Sequence, residues 1–429
     1  MKILWFTNSP CGSIRRYGDN AIGGGWLISL EDEIKKKQDI ELNVCFFSKE
    51  YEFPFDYEGV HYIPICRYPD AGRIRRVINR YRSVESMDRD ILHILQSVVE
   101  TINPDIVHIH GTEDSFGIVA PFVKSKNIPV VYSIQGLIAP YKEFVFRGLA
   151  KNDAYKLDSF RDKIHAVDIH RAYKSFCERS VRECTFLKNA EYIFGRTFWD
   201  RECTLALNLN RKYYVVNEIM RPEFYQKRWK GFDNAKRTYT LVKISSTISG
   251  GIYKGMETVL KTASLLQQYS SISFEWHIAG YMANEKWVNI AEHVTEIKSQ
   301  NVNVKYHGRV DAETLSNMLV DSDIYVHVSH IENSPNSVCE AMLIGVPTIA
   351  SYAGGTASIL KDDVEGKLYQ DGDSFVLAGI ILDYIQNPEK MCRYANNARK
   401  TALERHAPER VAEELCNGYK SILQLHKDK

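Results

Sequence analysis

The stretch S-H-I-E-N-S-P-N-S-V-C-E-A-M-L-I-G-V-P-T-I-A-S-Y-A-G-G, residues 329–355, holds two carboxylates, Glu332 and Glu340, with seven residues between them. Ser334 can cap a helix and Pro335 can open it. Gly345, with Pro347 just beyond, marks its end. A strand-like run, I-Y-V-H-V-S (324–329), comes before it. A helix N-terminus set after a parallel strand would present the amides of Asn336, Ser337 and Val338 and a positive dipole end, which together make an anion site. A carboxylate can accept two hydrogen bonds from a vicinal diol. A phosphate flanked by two diol-binding carboxylates has the outline of a nucleotide sugar, ribose on one side and hexose on the other. An isolated pair with this spacing reads more simply as a solvated loop glutamate and a surface helix glutamate. The cap, the helix stop and the preceding strand together move the reading toward a ligand site.

Such a site needs a sheet behind it. The chain opens with K-I-L-W-F-T-N (2–8) as a buried strand, then the Gly23–Gly25 loop, then Trp26, Leu27, Leu30 and Ile34 at helical spacing, then the strand E-L-N-V-C-F-F (41–47). That order begins a parallel α/β domain. A helix from Ser86 to Ile102 leads into D-I-V-H-I-H (105–110), and P-V-V-Y-S-I-Q (129–135) is another strand. A helical stretch rich in aromatic and basic residues fills about 139–190, before strands in E-Y-I-F-G-R-T and K-Y-Y-V-V-N. After Asn217 the pattern restarts, with strands at 238–245, 273–280, 302–308, 324–329 and 347–351 and helices between them. The division expected is 1–216, 217–405 and a last helix within 406–429, with Val411, Leu415, Tyr419, Ile422 and Leu423 on one stripe.

Composition agrees with a two-domain soluble protein. The chain has 429 residues, 44% hydrophobic and 25% charged, too long for one ordinary core. Lys and Arg total 55 against 54 Asp and Glu, a balance that argues against bulk nucleic-acid binding. The nine cysteines contain no C-x-x-C pair and suit reduced thiols in a cytoplasmic protein. The N-terminal apolar run reads as a strand and not as a signal peptide, and no run approaches the ~18 apolar residues of a membrane span.

The Glu332–Glu340 stretch, followed by G-V-P-T-I-A-S and Gly354-Gly355, closely resembles the signature of retaining glycosyltransferase family 4. The Gly23–Gly25 loop, P-D-I-V-H-I-H-G (104–111), P-V-V-Y-S-I-Q-G (129–136), Y-K-G (253–255) and H-G-R-V (307–310) extend the resemblance over nearly the whole chain. It implies the GT-B fold, in which two Rossmann-like domains with parallel sheets face each other across a cleft. It implies transfer of a hexose from a nucleotide diphospho-sugar, with retention, to a glycan or polyprenyl-linked acceptor, in bacterial surface polysaccharide synthesis. By the same resemblance Glu332 contacts the donor hexose near the reacting carbon, and Glu340 binds the ribose. The amides of Asn336, Ser337 and Val338 hold the diphosphate, and Lys254 neutralises it. Arg309 adds charge or frames the base. Gly24 and Gly25 lie close to the reaction centre, with His110 as a polar lining residue. No metal and no cofactor is expected, and the glycine loop lacks the G-x-G-x-x-G spacing of a redox dinucleotide site.

Two departures stand out. Relatives carry an arginine about where this chain has Ile248, so another residue must complete the phosphate clamp, or the clamp is lighter. Gln135 stands where many have histidine; it can hydrogen-bond a sugar but cannot titrate near neutral pH. That suits a front-face reaction in which the departing phosphate oxygen takes the acceptor's proton. Rival readings are a nucleotide-sugar epimerase or a phosphorylase of the same fold, and a non-catalytic nucleotide-binding partner subunit. His108 and His110 form an H-x-H without a recognisable third metal ligand. Asp321 and Asp323 resemble a metal-binding D-x-D but read as structural, and Asp371-Gly-Asp373 reads as a helix-capping turn. In A-G-R-I-R-R-V-I-N-R-Y-R-S-V, Ile74, Val77, Ile78 and Tyr81 form a helical apolar stripe among Arg73, Arg75, Arg76, Arg80 and Arg82. This is a candidate contact with an anionic membrane surface, on the inner face of the cell membrane.

Overall fold

The computed structural model describes residues 1–18, 25–67, 78–165, 167–231 and 241–428. The chain forms two compact units: Met1–Lys142 with Asp158–Ile219 and His406–Lys429, and Glu143–Leu157 with Met220–Arg405. Residues 143–157, which a single boundary at 216 would leave in the first domain, group with the second unit.

The first unit is built on β1 (Lys2–Thr7), β2 (Glu41–Ser48), β3 (Phe55–Tyr57), β4 (Val60–Cys66), β5 (Ile106–His110), β6 (Val130–Ser133), β7 (Tyr192–Gly195) and β8 (Lys212–Val215). Their order is β3-β4-β2-β1-β5-β6-β7-β8, parallel except for β3 against β4. Parallel strands are covered on both faces, so they read as unbroken apolar runs. In β1, Leu4 and Phe6 enter one core layer while Ile3 and Trp5 enter the other. The β3–β4 hairpin was not expected from sequence. Its turn is Glu58-Gly59, both at positive φ (47° and 81°), without the Asn-Gly pair that usually announces such a turn. The aromatic-basic stretch resolves into the short helices Ile138–Tyr141, Lys151–Lys156 and Phe160–Ile164 and the long helix Ile169–Lys188.

The last helix, Pro408–Lys427, belongs to this unit. Val411, Leu415, Tyr419 and Ile422 are buried in the same core layer as Ile3 and Trp5. Trp5 Nε1 donates to the Tyr419 hydroxyl (2.9 Å), which lies 2.5 Å from His108 Nδ1, and His108 Nε2 lies 2.6 Å from Ser133 Oγ. His108 thus joins the last helix to the sheet and has no nitrogen left for a metal.

The second unit carries β9 (Val242–Thr247), β10 (Phe274–Ala279), β11 (Val304–Gly308), β12 (Ile324–His327), β13 (Thr348–Ser351) and β14 (Lys367–Tyr369). The order is β11-β10-β9-β12-β13-β14, all parallel. β9 begins at Val242 and ends at Thr247, against the 238–245 expected, and residues 232–240 lie outside the described residues. β14 was not expected. Among the described residues no helix is long and apolar enough to cross a membrane.

Candidate active site

In an open parallel sheet, strand order reverses at one point, and the loops leaving the two strands there part to form a crevice. In the second unit that point lies between β9 and β12, since the chain runs from β9 to β10 on one side and resumes at β12 on the other. Lys254 follows β9 and Glu332 follows β12. Their side chains meet: the Lys254 ammonium contacts Glu332 Oε1, which also accepts from Ser329 Oγ at 3.1 Å. Two glycines allow this approach. Gly255 has φ +78°, and a Cβ there would lie 2.0 Å from the Val328 carbonyl oxygen. Gly354 has φ +52°, and a Cβ would lie 2.1 Å from the Glu332 carbonyl oxygen, which accepts from Gly355 N at 2.9 Å. A side chain at Gly255 would push the Lys254 loop off the end of β12, and one at Gly354 would push the Glu332 loop off the loop that follows β13.

The charges here are strongly coupled. Burial pushes the Glu332 carboxyl up, but Lys254, His327 and Ser329 outweigh it and hold the group below the usual carboxylate value. Burial likewise opposes the Lys254 charge, and Glu332 more than restores it. His327, buried beneath the pair, is lowered to about 4 by burial, Glu332 opposing and Lys254 adding. It is therefore neutral, and the site carries one cation and one anion that balance.

The helix after Glu332 spans Asn336–Ile344. It corrects the expected start: Pro335, not Ser334, occupies the N-cap, and no side chain caps the helix. The Val338 amide, expected to face a phosphate, already donates to the Pro335 carbonyl at 2.9 Å. Asn336 and Ser337 open the first turn. Glu340 is 5% exposed, not a surface residue. Its Oε1 accepts from Arg221 Nε at 2.8 Å, and burial pushes its carboxyl up despite that cation. Arg309 is exposed just past β11, and the structure records no contact between it and the Lys254–Glu332 pair. Ile248 is buried, so the position carries packing and not charge.

The remaining expected residues belong to the first unit. Gln135 lies just past β6, half-buried. Gly25 opens the helix Gly25–Ile34, while Gly24 and Gly23 lie outside the described residues. His110 ends β5, fully buried beside Trp5 and His108, and burial holds it neutral. The switch point of this sheet lies between β1 and β5. There Asn8 Nδ2 donates to Glu113 Oε1 at 2.5 Å, and burial pushes the Glu113 carboxyl up to about 7. Glu113 was not singled out from sequence, although only Thr112 separates it from the H-I-H-G strand end.

Asp321 contacts Lys230, and Asp323 Oδ2 accepts from Lys243 N at 2.8 Å, so the D-x-D has structural partners. Asp373 caps the helix Ser374–Gln386 through the Val376 amide (3.0 Å). Of the basic amphipathic stretch, Arg73 to Val77 lie outside the described residues. Ile78 and Tyr81 are exposed, and the Tyr81 hydroxyl donates to the Lys163 carbonyl at 3.1 Å, next to exposed Phe160 and Ile164.

The residues collected at the β9–β12 crevice are matched by a known family. Residues 247–401 match glycosyl transferases group 1. The matched segment contains Lys254, Arg309, Glu332, Asn336, Ser337, Val338 and Glu340. The amylovoran biosynthesis glycosyltransferase AmsK of Erwinia amylovora is 27% identical over 135 residues, 30% of this chain and 32% of that protein. Protein CapJ of Staphylococcus aureus is 26% identical over 180 residues, 38% of this chain and 42% of that protein. The chain thus spans a third to two-fifths of the length of these curated relatives. Among solved structures, a sucrose-phosphate synthase from Thermosynechococcus elongatus superposes with a TM-score of 0.68 at 15% identity, covering 99% of this chain and 100% of that one. Anabaena HepE in complex with UDP-glucose gives 0.64 at 16% identity, covering 98% and 100%. The two parallel sheets are those of the GT-B fold.

Proposed function

We propose that the chain is a retaining glycosyltransferase of the family 4 type. It would move a hexose from a nucleotide diphospho-sugar to a glycan or polyprenyl-linked acceptor in surface polysaccharide synthesis. The observation that carries this reading is the Lys254–Glu332 pair at the strand-order reversal, next to a helix N-terminus and inside the group 1 segment. The ligand-free pair is self-neutralised. An arriving diphosphate competes for Lys254, which then stabilises the charge that develops as the anomeric C–O bond breaks. Glu332, released from the lysine, accepts from donor-sugar hydroxyls. The acceptor oxygen forms the new bond to the anomeric carbon, and its proton passes to the departing phosphate oxygen. No metal enters this scheme. The acceptor side belongs to the first unit, where Gln135, His110, Gly25 and Glu113 supply polar groups. The names of AmsK and HepE's bound UDP-glucose favour a nucleotide-sugar donor and a polysaccharide product.

The test is release of nucleoside diphosphate from a panel of nucleotide sugars, with and without a polyprenyl-phosphate-linked acceptor, and NMR of the product's anomeric configuration. Acceptor-dependent release with retention is expected. Release of free epimerised sugar without acceptor would make the chain an epimerase. Binding without turnover across the panel would make it a nucleotide-binding subunit.

A further inference from the structure

Beside the Lys254–Glu332 pair lies a second charged arrangement that the reaction above does not use. His330 is 1% exposed. Its Nε2 lies 2.7 Å from Glu257 Oε1 and its Nδ1 lies 3.2 Å from Asp371 Oδ2. Each ring nitrogen faces a carboxylate oxygen, and only the doubly protonated ring can donate to both. Burial disfavours that charge, but Glu257 and Asp371 together raise the imidazole above its ordinary value. A further charged group on this cluster is Arg147, on the 143–157 segment, whose Nε lies 3.0 Å from the same Asp371 oxygen. Thr258 Oγ1 donates to the same Glu257 oxygen at 2.9 Å. Among the described residues, two carboxylates here face one guanidinium and one imidazole.

The four charged groups come from four places in the chain. Glu257 lies in the first turn of the helix Met256–Tyr269, three residues after Lys254. Asp371 follows β14, and Arg147 sits on the 143–157 segment. His330 itself stands two residues before Glu332, and its backbone N–H donates to the Tyr253 carbonyl at 2.8 Å. The residue before Lys254 and the loop leading to Glu332 are therefore fastened at one point. We propose that the His330 imidazolium is a positioning residue that clamps Glu257 and Asp371 and thereby sets Lys254 and Glu332 at the spacing the donor diphosphate requires. This rests on the reading of that pair as the donor site. A neutral His330 has one N–H and must release one of the two carboxylates, leaving Asp371 to Arg147 or Glu257 to Thr258, which loosens one of the two loops.

The experiment follows wild type, His330→Gln and Asp371→Asn by histidine NMR titration, by hydrogen exchange at residues 253–255 and 330–332, and by kcat and KM against pH with the active donor. In wild type, His330 should titrate above the ordinary histidine value, and kcat should fall through the same pH. His330→Gln keeps one donor and cannot be charged. It should lower kcat by about 10²-fold, as expected for a small misplacement of a group acting in the transition state, change KM less than threefold, lose the alkaline limb and exchange faster at 253–255. Asp371→Asn should move both the His330 titration and the alkaline limb to lower pH together, which keeps the test alive if His330→Gln does not fold. A His330 that titrates at or below the ordinary value overturns the proposal. So does a His330→Gln enzyme with wild-type kcat and its alkaline limb intact, or an Asp371→Asn enzyme whose limb stays while His330 shifts. A wild type inactive on every donor would count against the donor-site reading instead, and the titration and exchange would then decide the clamp by themselves.

Discussion

Replacing Lys254 with Met keeps most of the stem and removes the cation. Glu332 would then stand as a largely buried carboxylate facing only Ser329 and neutral His327. Removing one partner of a buried ion pair costs about 3–5 kcal/mol. Here the side chains are 22% and 15% exposed, so water offsets part of the loss, and about 2–3 kcal/mol is expected near neutral pH. The sign against pH can be worked from the same contacts. In wild type the Glu332 carboxyl is depressed, so its contribution is present above the unfolded carboxylate value of about 4.3 and is lost as pH falls through the folded value. Without Lys254, burial dominates and raises the carboxyl, so the variant is least stable at high pH and recovers as Glu332 takes up a proton. Native-state hydrogen exchange at the amides of β9 and β12 reads this locally, at about pH 7.5 and about pH 5.5. Lys254→Met should lose the stated amount at the higher pH and less at the lower. The double variant with Glu332→Gln should fall within ~1 kcal/mol of Glu332→Gln alone, because the unpaired charge is gone. A Lys254→Met protein as stable as wild type at both pH values, or a double variant as unstable as Lys254→Met, would refute the coupling on which the donor site is built.

Glu332→Gln should mostly lower turnover, while Glu340→Gln should mostly weaken donor binding, by about 1–3 kcal/mol for a lost hydrogen bond at a charged group; titration calorimetry beside steady-state kinetics separates the two, and effects below twofold in both would remove these glutamates from the donor site. In the proposed reaction Lys254 and the helix N-terminus meet the diphosphate charge, so activity should survive excess chelator, and complete loss restored by manganese or magnesium would contradict that. Arg80→Glu combined with Phe160→Ser and Ile164→Ser should abolish salt-sensitive sedimentation with anionic vesicles and leave donor binding intact, because Arg80 and Tyr81 donate to the His165 and Lys163 carbonyls on the segment that carries exposed Phe160 and Ile164. Equal sedimentation of wild type and variant would clear this face of any membrane role.

What could be read from sequence and what could not divides along a physical line. Most strands of both sheets were legible because parallel strands are buried on both faces, and their side chains record that in unbroken runs such as K-I-L-W-F-T, while the three-residue, half-buried edge strand β14 leaves no such run. β3 escaped because it is a three-residue antiparallel edge strand joined to β4 by Glu58-Gly59, not a familiar turn pair, and β4 because His61 and Pro64 interrupt its run, although it pairs parallel with β2 and is largely buried. Lys254 and Glu332 were legible for a related reason: each stands in a loop at a strand's carboxyl end, and each loop depends on a glycine, Gly255 and Gly354, that the close approach demands. The partners that tune the site were not legible. Arg221 reaches Glu340 across 119 residues, and His330 reaches Glu257 across 73 and Asp371 across 41. Spacing along the chain says nothing about groups that meet only because separate strands deliver separate loops to one end of one sheet. Asp371 shows the limit best. Read with Asp373 it is half of a turn, and Asp373 does cap the next helix; but Asp371 itself points to an imidazole that no local pattern could have supplied. An acidic residue in the loop after a parallel strand therefore has two candidate roles, its own helix cap or a neighbouring loop's cation. Strand order decides which loops are neighbours, so it must be known before such a residue is assigned.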